Sequence, residues 1–293
     1  MYTSYIYISL AIICMLSIAL AYFFRPKNSS YNEYYLASRS LTTLPLMLTL
    51  LATQIGGGAI IGTANMSYEN GLWGILYNVG ICLGFMVLAL GFAAKLRSFN
   101  VGTTSELFLQ RFGSKSLQKF SSLLFCLSMF GILVAQIVAS KSVLLAIDGS
   151  STTPLFVFWG IIIFYTMFGG FKTVVITDII QVAFVVLVIG YFFFSLVSDL
   201  GFDELRNLPI DSPKPTGIST FNLLLMPVCF SLIEQDLAQR FFAGKTQQAC
   251  SKASALACII IVIFSVIPVL LGMLAKANGI VPDDGSSVII LLA

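Results

Sequence analysis

Long apolar runs alternate with short polar breaks along the whole chain. Read between charged or Gly-, Pro- and Asn-rich interruptions, the runs are Thr3–Phe24, Thr43–Tyr68, Leu72–Ala94, Phe120–Ile147, Pro154–Gly170, Thr173–Val197, Phe221–Arg240 and Ala249–Ala275, with a last one, Val288–Ala293, cut by the chain's end. Most reach about 20 residues, enough for an α-helix to cross roughly 30 Å of hydrocarbon at 1.5 Å per residue. The pattern predicts an all-α membrane protein, a single transmembrane domain of about eight full transmembrane helices plus a cut ninth.

Composition agrees with the pattern. Hydrophobic residues make up 58% of the chain and charged ones 10%, against about a quarter charged in a soluble domain. The first cation is Arg25, so the N-terminal run lacks the basic start of a signal peptide and reads as a retained helix. Twelve of the 16 cations (Arg25, Lys27, Arg39, Lys95, Arg97, Arg111, Lys115, Lys119, Lys172, Arg240, Lys245 and Lys252) fall in loops that alternate onto one side. Glu69, Asp148, Asp199, Asp203, Glu204, Asp211, Asp283 and Asp284 fall on the other. Basic loops face the cytoplasm, which predicts a multi-pass cell-membrane protein with its N-terminus outside.

Several chemistries are excluded. There is no histidine, and the six cysteines form no CxxC spacing, which removes histidine-dependent zinc, haem and Ser-His or Cys-His sites. No phosphate-binding loop ending in Lys-Ser/Thr is present, so an ATP-driven pump is unsupported and nothing points to an enzyme or to nucleic acid. The expected partners are the bilayer and a small-molecule solute.

The second run is unusual. It reads Thr53-Gln54-Ile55-Gly56-Gly57-Gly58-Ala59-Ile60-Ile61-Gly62, with three consecutive glycines near mid-span. Each costs a helix about 1 kcal/mol relative to alanine, and a break in hydrocarbon persists only where the freed backbone groups line a cavity or bind something. Freed carbonyl oxygens suit a hard cation such as Na⁺. The alternative is close helix packing through the GxxxG pair Gly58 and Gly62; the polar Thr53 and Gln54 favour a site. Gln54, Asn78 and Gln136 could face one cavity, or each could make a helix–helix hydrogen bond. Glu234 is an intramembrane carboxylate, a functional candidate by default. Asp236 and Arg240 have the spacing of a salt bridge at a helix end, and Asp178 follows Lys172 near one face, where a helix dipole favours a carboxylate.

Four stretches resemble the sodium:solute symporter family: Tyr34–Leu41 with the glycine-broken run after it, Thr104–Gly113 (TSELFLQRFG), Gly169–Gln181 (GGFKTVVITDIIQ) and Gln235–Lys245 (QDLAQRFFAGK). The resemblance covers roughly Tyr34 to Lys276. It implies a LeuT-type fold of five-plus-five inverted repeats, with an extra N-terminal helix at 1–27, a first repeat at 43–198 and an incomplete second at 219–293. It implies sodium held by the backbone carbonyls of Ala52 and Ile55, together with hydroxyls of a later helix that has no counterpart before the chain ends. The substrate-contact candidates are thus Gln54, Gly56, Gly57, Asn78, Gln136 and Glu234, with the family's substrate-contacting position falling at Glu234, and the resemblance places Asp178 on the ion's exit path. The implied function is sodium-coupled symport of a small polar or anionic solute by alternating access, with Na⁺ as the co-transported ion. The alternatives are a non-transporting membrane sensor or scaffold, and an inactive truncated fragment of a symporter.

Overall fold

The computed structural model of the chain describes residues 2–26, 30–148, 153–200, 208 and 217–280. The run at 288–293 and most of the loop at 198–219 lie outside them. The described elements are helical, with one isolated backbone bridge between Leu41 and Gly244.

Helix α1 (Tyr2–Phe24) lies along α9 (Thr153–Leu200). The short α2 (Tyr31–Leu36) is capped by Ser30, whose hydroxyl accepts the Glu33 amide at 3.3 Å. Three successive non-glycine residues then take positive φ: Ala37 at 45°, Ser38 at 53° and Arg39 at 53°. That conformation costs roughly 1–2 kcal/mol per residue. Buried Leu36 and Ala37 hold it from within, and the Arg39 guanidinium holds it from without, donating to Asn100 Oδ1 and to the Asn100 carbonyl, both at 2.7 Å.

Helix α3 (Thr43–Gln54) stops at the glycines. The chain resumes as a π-helical segment, Gly58–Gly62, and then α4 (Thr63–Asn70). Gly71 (φ 58°, ψ −133°) ends α4 and starts a 3₁₀ turn, Gly71–Ile75, into α5 (Leu76–Val87). Asn78 Nδ2 donates to Thr63 Oγ1 at 2.9 Å, whereas 15 residues of straight helix would separate them by about 22 Å; α5 therefore runs back along α4. A second π-segment, Leu88–Phe92, leads to α6 (Ala93–Ser98). The reversal at Gly170 (φ 63°, ψ −176°) does the same within α9, bringing Tyr165 into side-chain contact with Thr177 and Gln181.

Helix α7 (Thr104–Phe112) starts on a capping box. Thr103 accepts the Glu106 amide at 3.3 Å, and the Glu106 carboxylate accepts the Gly102 amide at 2.8 Å. Helix α8 (Lys115–Asp148) stands at the periphery against α7 and, sparsely, α9. Helices α10 (Gly217–Ile233) and α11 (Gln235–Phe242) meet at a 42° bend, and α12 (Gln247–Ala277) runs through the core against α3, α4 and α5. Small residues set the closest approaches, as in other membrane bundles. A Cβ on Gly80 would lie 2.6 Å from the Leu224 carbonyl, one on Gly84 would lie 2.8 Å from Ser231 Cβ, and one on Gly272 would collide with the Ala64 carbonyl.

By length and composition, five helices among the described residues can cross a membrane, or six if the bent α10–α11 pair is one span. The expected count of eight plus a cut ninth is therefore not met at this level. Two of the five are continuous apolar stretches in which the sequence pattern counted two runs each: Gly58–Ser98, of 41 residues, and Thr153–Ser198, of 46. They hold the reversals at Gly71 and Gly170. The piece Thr43–Gln54 is too short to be counted alone, and the ninth run is outside the described residues.

Loops assigned to one side by charge meet at one end of the bundle. Arg39 and Arg97 both reach Asn100, Arg97 Nε donates to the Gly244 carbonyl at 2.5 Å, and Lys172 lies over Phe24 beside Arg25. Glu69 and Lys276 meet elsewhere, with Lys276 Nζ 3.1 Å from the Glu69 carbonyl.

Candidate functional site

The site grows from the end of α3. Ile55 (φ −82°, ψ 73°) leaves the helix while its amide still donates to Leu51 at 2.7 Å. The Gly56 amide then turns to the Gln54 carbonyl at 3.0 Å, and not to that of Ala52, the partner a continuing helix would supply. The helix restarts when Ile60 donates to the Gly56 carbonyl at 3.1 Å. Thus the Ala52 carbonyl loses its helical amide, and that of Ile55 sits in the break.

The glycines bear on the two sequence readings of this segment. Among the described residues, a Cβ built on Gly56, Gly57, Gly58 or Gly62 would meet nothing within 4 Å. Close packing requires neighbouring atoms there, and the described residues supply none at Gly58 or Gly62. The close-packed GxxxG of this region is Gly80 and Gly84, where α5 meets α10.

A second break faces the first. Glu234 (φ −61°, ψ 123°) interrupts the helix between α10 and α11, is 8% exposed, and accepts from Gln54 Nε2 at 3.5 Å. The break is anchored by Gln235, whose side-chain oxygen accepts the Thr104 amide at 2.8 Å. The carbonyl end of α3 therefore lies near the amide end of α11. Such paired half-helix ends present partial negative and positive charge to a common space.

One turn before the break sits a charged cluster. Arg240, 5% exposed, donates from Nη2 to Asp178 Oδ2 at 2.9 Å, from Nη1 to Asp236 Oδ1, and from Nε to Thr49 Oγ1 at 3.0 Å. Thr49, fully buried, donates its own hydroxyl to Asp178. The Phe171 ring lies 6.0 Å from the guanidinium. Desolvating such charges costs several kcal/mol per ion, recovered only when each finds partners of good geometry; here α3, α9 and α11 each supply one. An open cleft of about 340 Å³, lined by Tyr34, Tyr35, Phe171, Asp236 and Arg240 among others, leads to the cluster from outside.

The structure brings Ala52, Gln54, Ile55, Gly56, Gly57 and Glu234 together, with Asp178 close to them through Thr49. Asn78, 2% exposed, straps α5 to α4 through Thr63, and its Oδ1 has no partner among the described residues. Gln136 is not brought in; it lies exposed on α8. The Asp236–Arg240 pair stands as the spacing indicated, but Asp178 is held by Arg240 and Thr49 and not by a helix dipole. Sequence reasoning missed Thr49, and missed that Arg240 joins Asp178. The one signal for that pairing was two lone opposite charges inside apolar runs, which in a membrane tend to find each other.

Paired helix breaks in a multi-spanning α-helical bundle define a class of transport scaffold, and the comparisons agree. Residues 34–290 match the sodium:solute symporter family, and the chain belongs to that family. It is similar to the sodium/pantothenate symporter of Haemophilus influenzae, 28% identical over 277 residues, covering 88% of this chain and 57% of that protein. It is also similar to the high-affinity choline transporter 1 of Caenorhabditis elegans, 28% identical over 263 residues, covering 85% and 44%. The fold is that of a Na⁺-coupled sialic acid symporter solved in a substrate-bound outward-open state, with TM-score 0.75, 18% identity and coverage of 97% of this chain and 64% of that one. The chain thus has an all-α LeuT-type fold and spans about half the length of the curated relatives it matches.

Proposed function

We infer that this chain serves a secondary transporter function, coupling inward movement of Na⁺ to uptake of a small polar or anionic solute by alternating access. The open, unpacked glycine break opposite Glu234 is the observation that carries the reading. Within it, the carbonyls of Ala52 and Ile55 contribute to the Na⁺ site, and Gln54, Gly56, Gly57 and Glu234 face the solute. Asn78 lies one helix away, its amide oxygen without a partner among the described residues, and Gln136, exposed on α8, is the remaining solute candidate. Asp178 lies on the ion's path toward the cleft beside Arg240. A carboxylate there attracts a cation, while its clamp to Arg240 and Thr49 keeps it from holding the ion too tightly.

The architecture proposed with this function has eight crossings among residues 2–280: α1; α3 with α4; α5 with α6; α8; the two arms of α9; α10 with α11; and α12. The run at 288–293 begins a ninth. Residues 43–198 form a first five-helix repeat and 219–293 start the second, behind an extra helix at 1–27. The N-terminus faces outward across the cell membrane in this reading, which rests on the alternation of basic and acidic loops along the sequence.

The test is uptake into proteoliposomes holding the protein that carries this chain. Labelled pantothenate, choline, proline, glucose and sialic acid are offered with an inward Na⁺ gradient and with choline- or K⁺-replaced buffer; where choline is the solute, K⁺ is used. Concentrative uptake of one solute that disappears without Na⁺ supports the reading. Uptake of the transported solute at an unchanged rate after Na⁺ removal overturns Na⁺ coupling.

A further inference from the structure

A second polar cleft, of about 260 Å³, lies at the end of α1, away from the two breaks. Its lining includes Arg25 and Lys172, the hydroxyl-bearing Ser38 and Ser40, and Phe23 and Phe24. The two cations are far apart in sequence, Arg25 just past α1 and Lys172 within α9, and they converge at the turn made by Gly170. Its positive φ turns the chain there, and its missing Cβ admits Pro26 Cγ at 3.0 Å and the Tyr34 carbonyl at 3.1 Å. A side chain at 170 would press on Pro26 and on the Tyr34 carbonyl.

Neither cation has a carboxylate partner among the described residues. Each lies over an aromatic ring: the Arg25 guanidinium 4.9 Å from the Tyr22 centroid, and Lys172 Nζ 5.8 Å from that of Phe24. The rings orient the cations without neutralising them. Ser38 is exposed on the left-handed turn, whereas the Ser40 hydroxyl already donates to the Ala37 carbonyl at 2.7 Å. Glu33 is the carboxylate in the lining and has interactions of its own, so the cleft holds two positive charges against one negative.

The surroundings point to the kind of anion that would answer these charges. Phe23 is 76% and Tyr22 64% exposed on the last turn of an apolar span, a surface that faces acyl chains. The cations just beyond sit where headgroups lie. We propose that this cleft binds the phosphate of an anionic phospholipid headgroup, gripped by Arg25 and Lys172, so that one lipid ties α1 to the turn at residues 37–39 and to α9. The proposal rests on the chain spanning a membrane and not on its transport activity.

Native mass spectrometry of the purified protein tests it, with phosphatidylglycerol or phosphatidylcholine added at equal mole ratio. Phosphatidylglycerol adducts survive in the wild type, fall at least fivefold in the Arg25→Gln/Lys172→Gln double variant, and persist in Lys115→Gln/Lys119→Gln, which removes the same charge from exposed positions on α8. Glu33→Gln raises occupancy. Because the double variant could fail to fold, a second measurement uses wild-type protein alone: phosphatidylglycerol raises the melting temperature, and phosphatidylcholine and millimolar inorganic phosphate do not. Equal adducts in the double variant and wild type, or equal occupancy by the two lipids, overturn the site. Stabilisation by inorganic phosphate equal to that by the lipid assigns the cleft to a soluble phosphate and overturns the lipid.

Discussion

The Arg240 cluster makes a ranked prediction, because its three charges differ in how far they are removed from water. The side chains of Arg240, Asp178 and Asp236 are 6%, 14% and 37% exposed. Arg240→Gln removes the cation and strands Asp178. Breaking a buried pair this way costs about 3–5 kcal/mol, and the lower end applies because Asp178 keeps the Thr49 hydroxyl. Asp178→Asn is milder: Arg240 retains Asp236 and Thr49, and an ion pair becomes a bond from the guanidinium to a neutral amide oxygen, a loss of about 1–2 kcal/mol. Asp236→Asn touches a half-wet pair spaced i,i+4 and costs about 0–1 kcal/mol. At roughly 2–4 °C per kcal/mol for a chain of this size, melting in detergent falls by about 6–12 °C, 2–8 °C and at most 4 °C in that order. The Arg240→Gln/Asp178→Asn double variant recovers about 1–3 kcal/mol relative to the sum of the singles, since the stranded carboxylate is gone. A fluorescence melt of the four proteins decides it. If Asp236→Asn destabilises as much as Arg240→Gln, or the double variant is additive, the cluster is not a buried charge triad and the argument fails.

Glycine substitutions separate open from packed positions. Gly57→Ala, with nothing near its Cβ and helical φ and ψ, leaves melting unchanged or raises it by up to about 1 kcal/mol in stability. Gly80→Ala drives a methyl against the Leu224 carbonyl and costs about 1–3 kcal/mol. Equal effects in a melt would refute the assignment of which glycines pack. Gly170→Ala combines a positive φ with contact to Pro26 and the Tyr34 carbonyl, so it lowers stability by at least about 1 kcal/mol and speeds proteolysis at residues 25–30; unchanged cleavage would count against the close approach. In proteoliposomes, Glu234→Ala raises the half-saturating solute concentration at least tenfold with melting little changed, and an unaltered value removes Glu234 from the solute site. Thr103→Ala removes the cap of α7 and costs about 1 kcal/mol, read as a melt shift of a few degrees.

Much of this architecture was legible because membrane insertion writes its constraints locally. An apolar run, a cation beside it and a glycine triplet are each contained in one window of sequence, and each reappears as helix, converging basic loops or break. What was not legible is of two kinds. The first is local but ambiguous: the same triplet reads as a packing face or an open break, and only the empty space around Gly56, Gly57 and Gly58 separates them. The true packing glycines, Gly80 and Gly84, gave no stronger signal. The second is non-local. Thr49 meets Asp178 across 129 residues and Arg240 across 191, and Gln54 meets Glu234 across 180. No periodicity specifies such pairs. They follow from the energetic rule that a charge carried into an apolar bundle must be answered by another, applied to helices whose mutual placement is set by the apolar packing of α3, α9, α11 and α12. The site is thus a consequence of the bundle: glycine breaks free the backbone groups, and the surrounding charges settle where the packed helices leave them within reach.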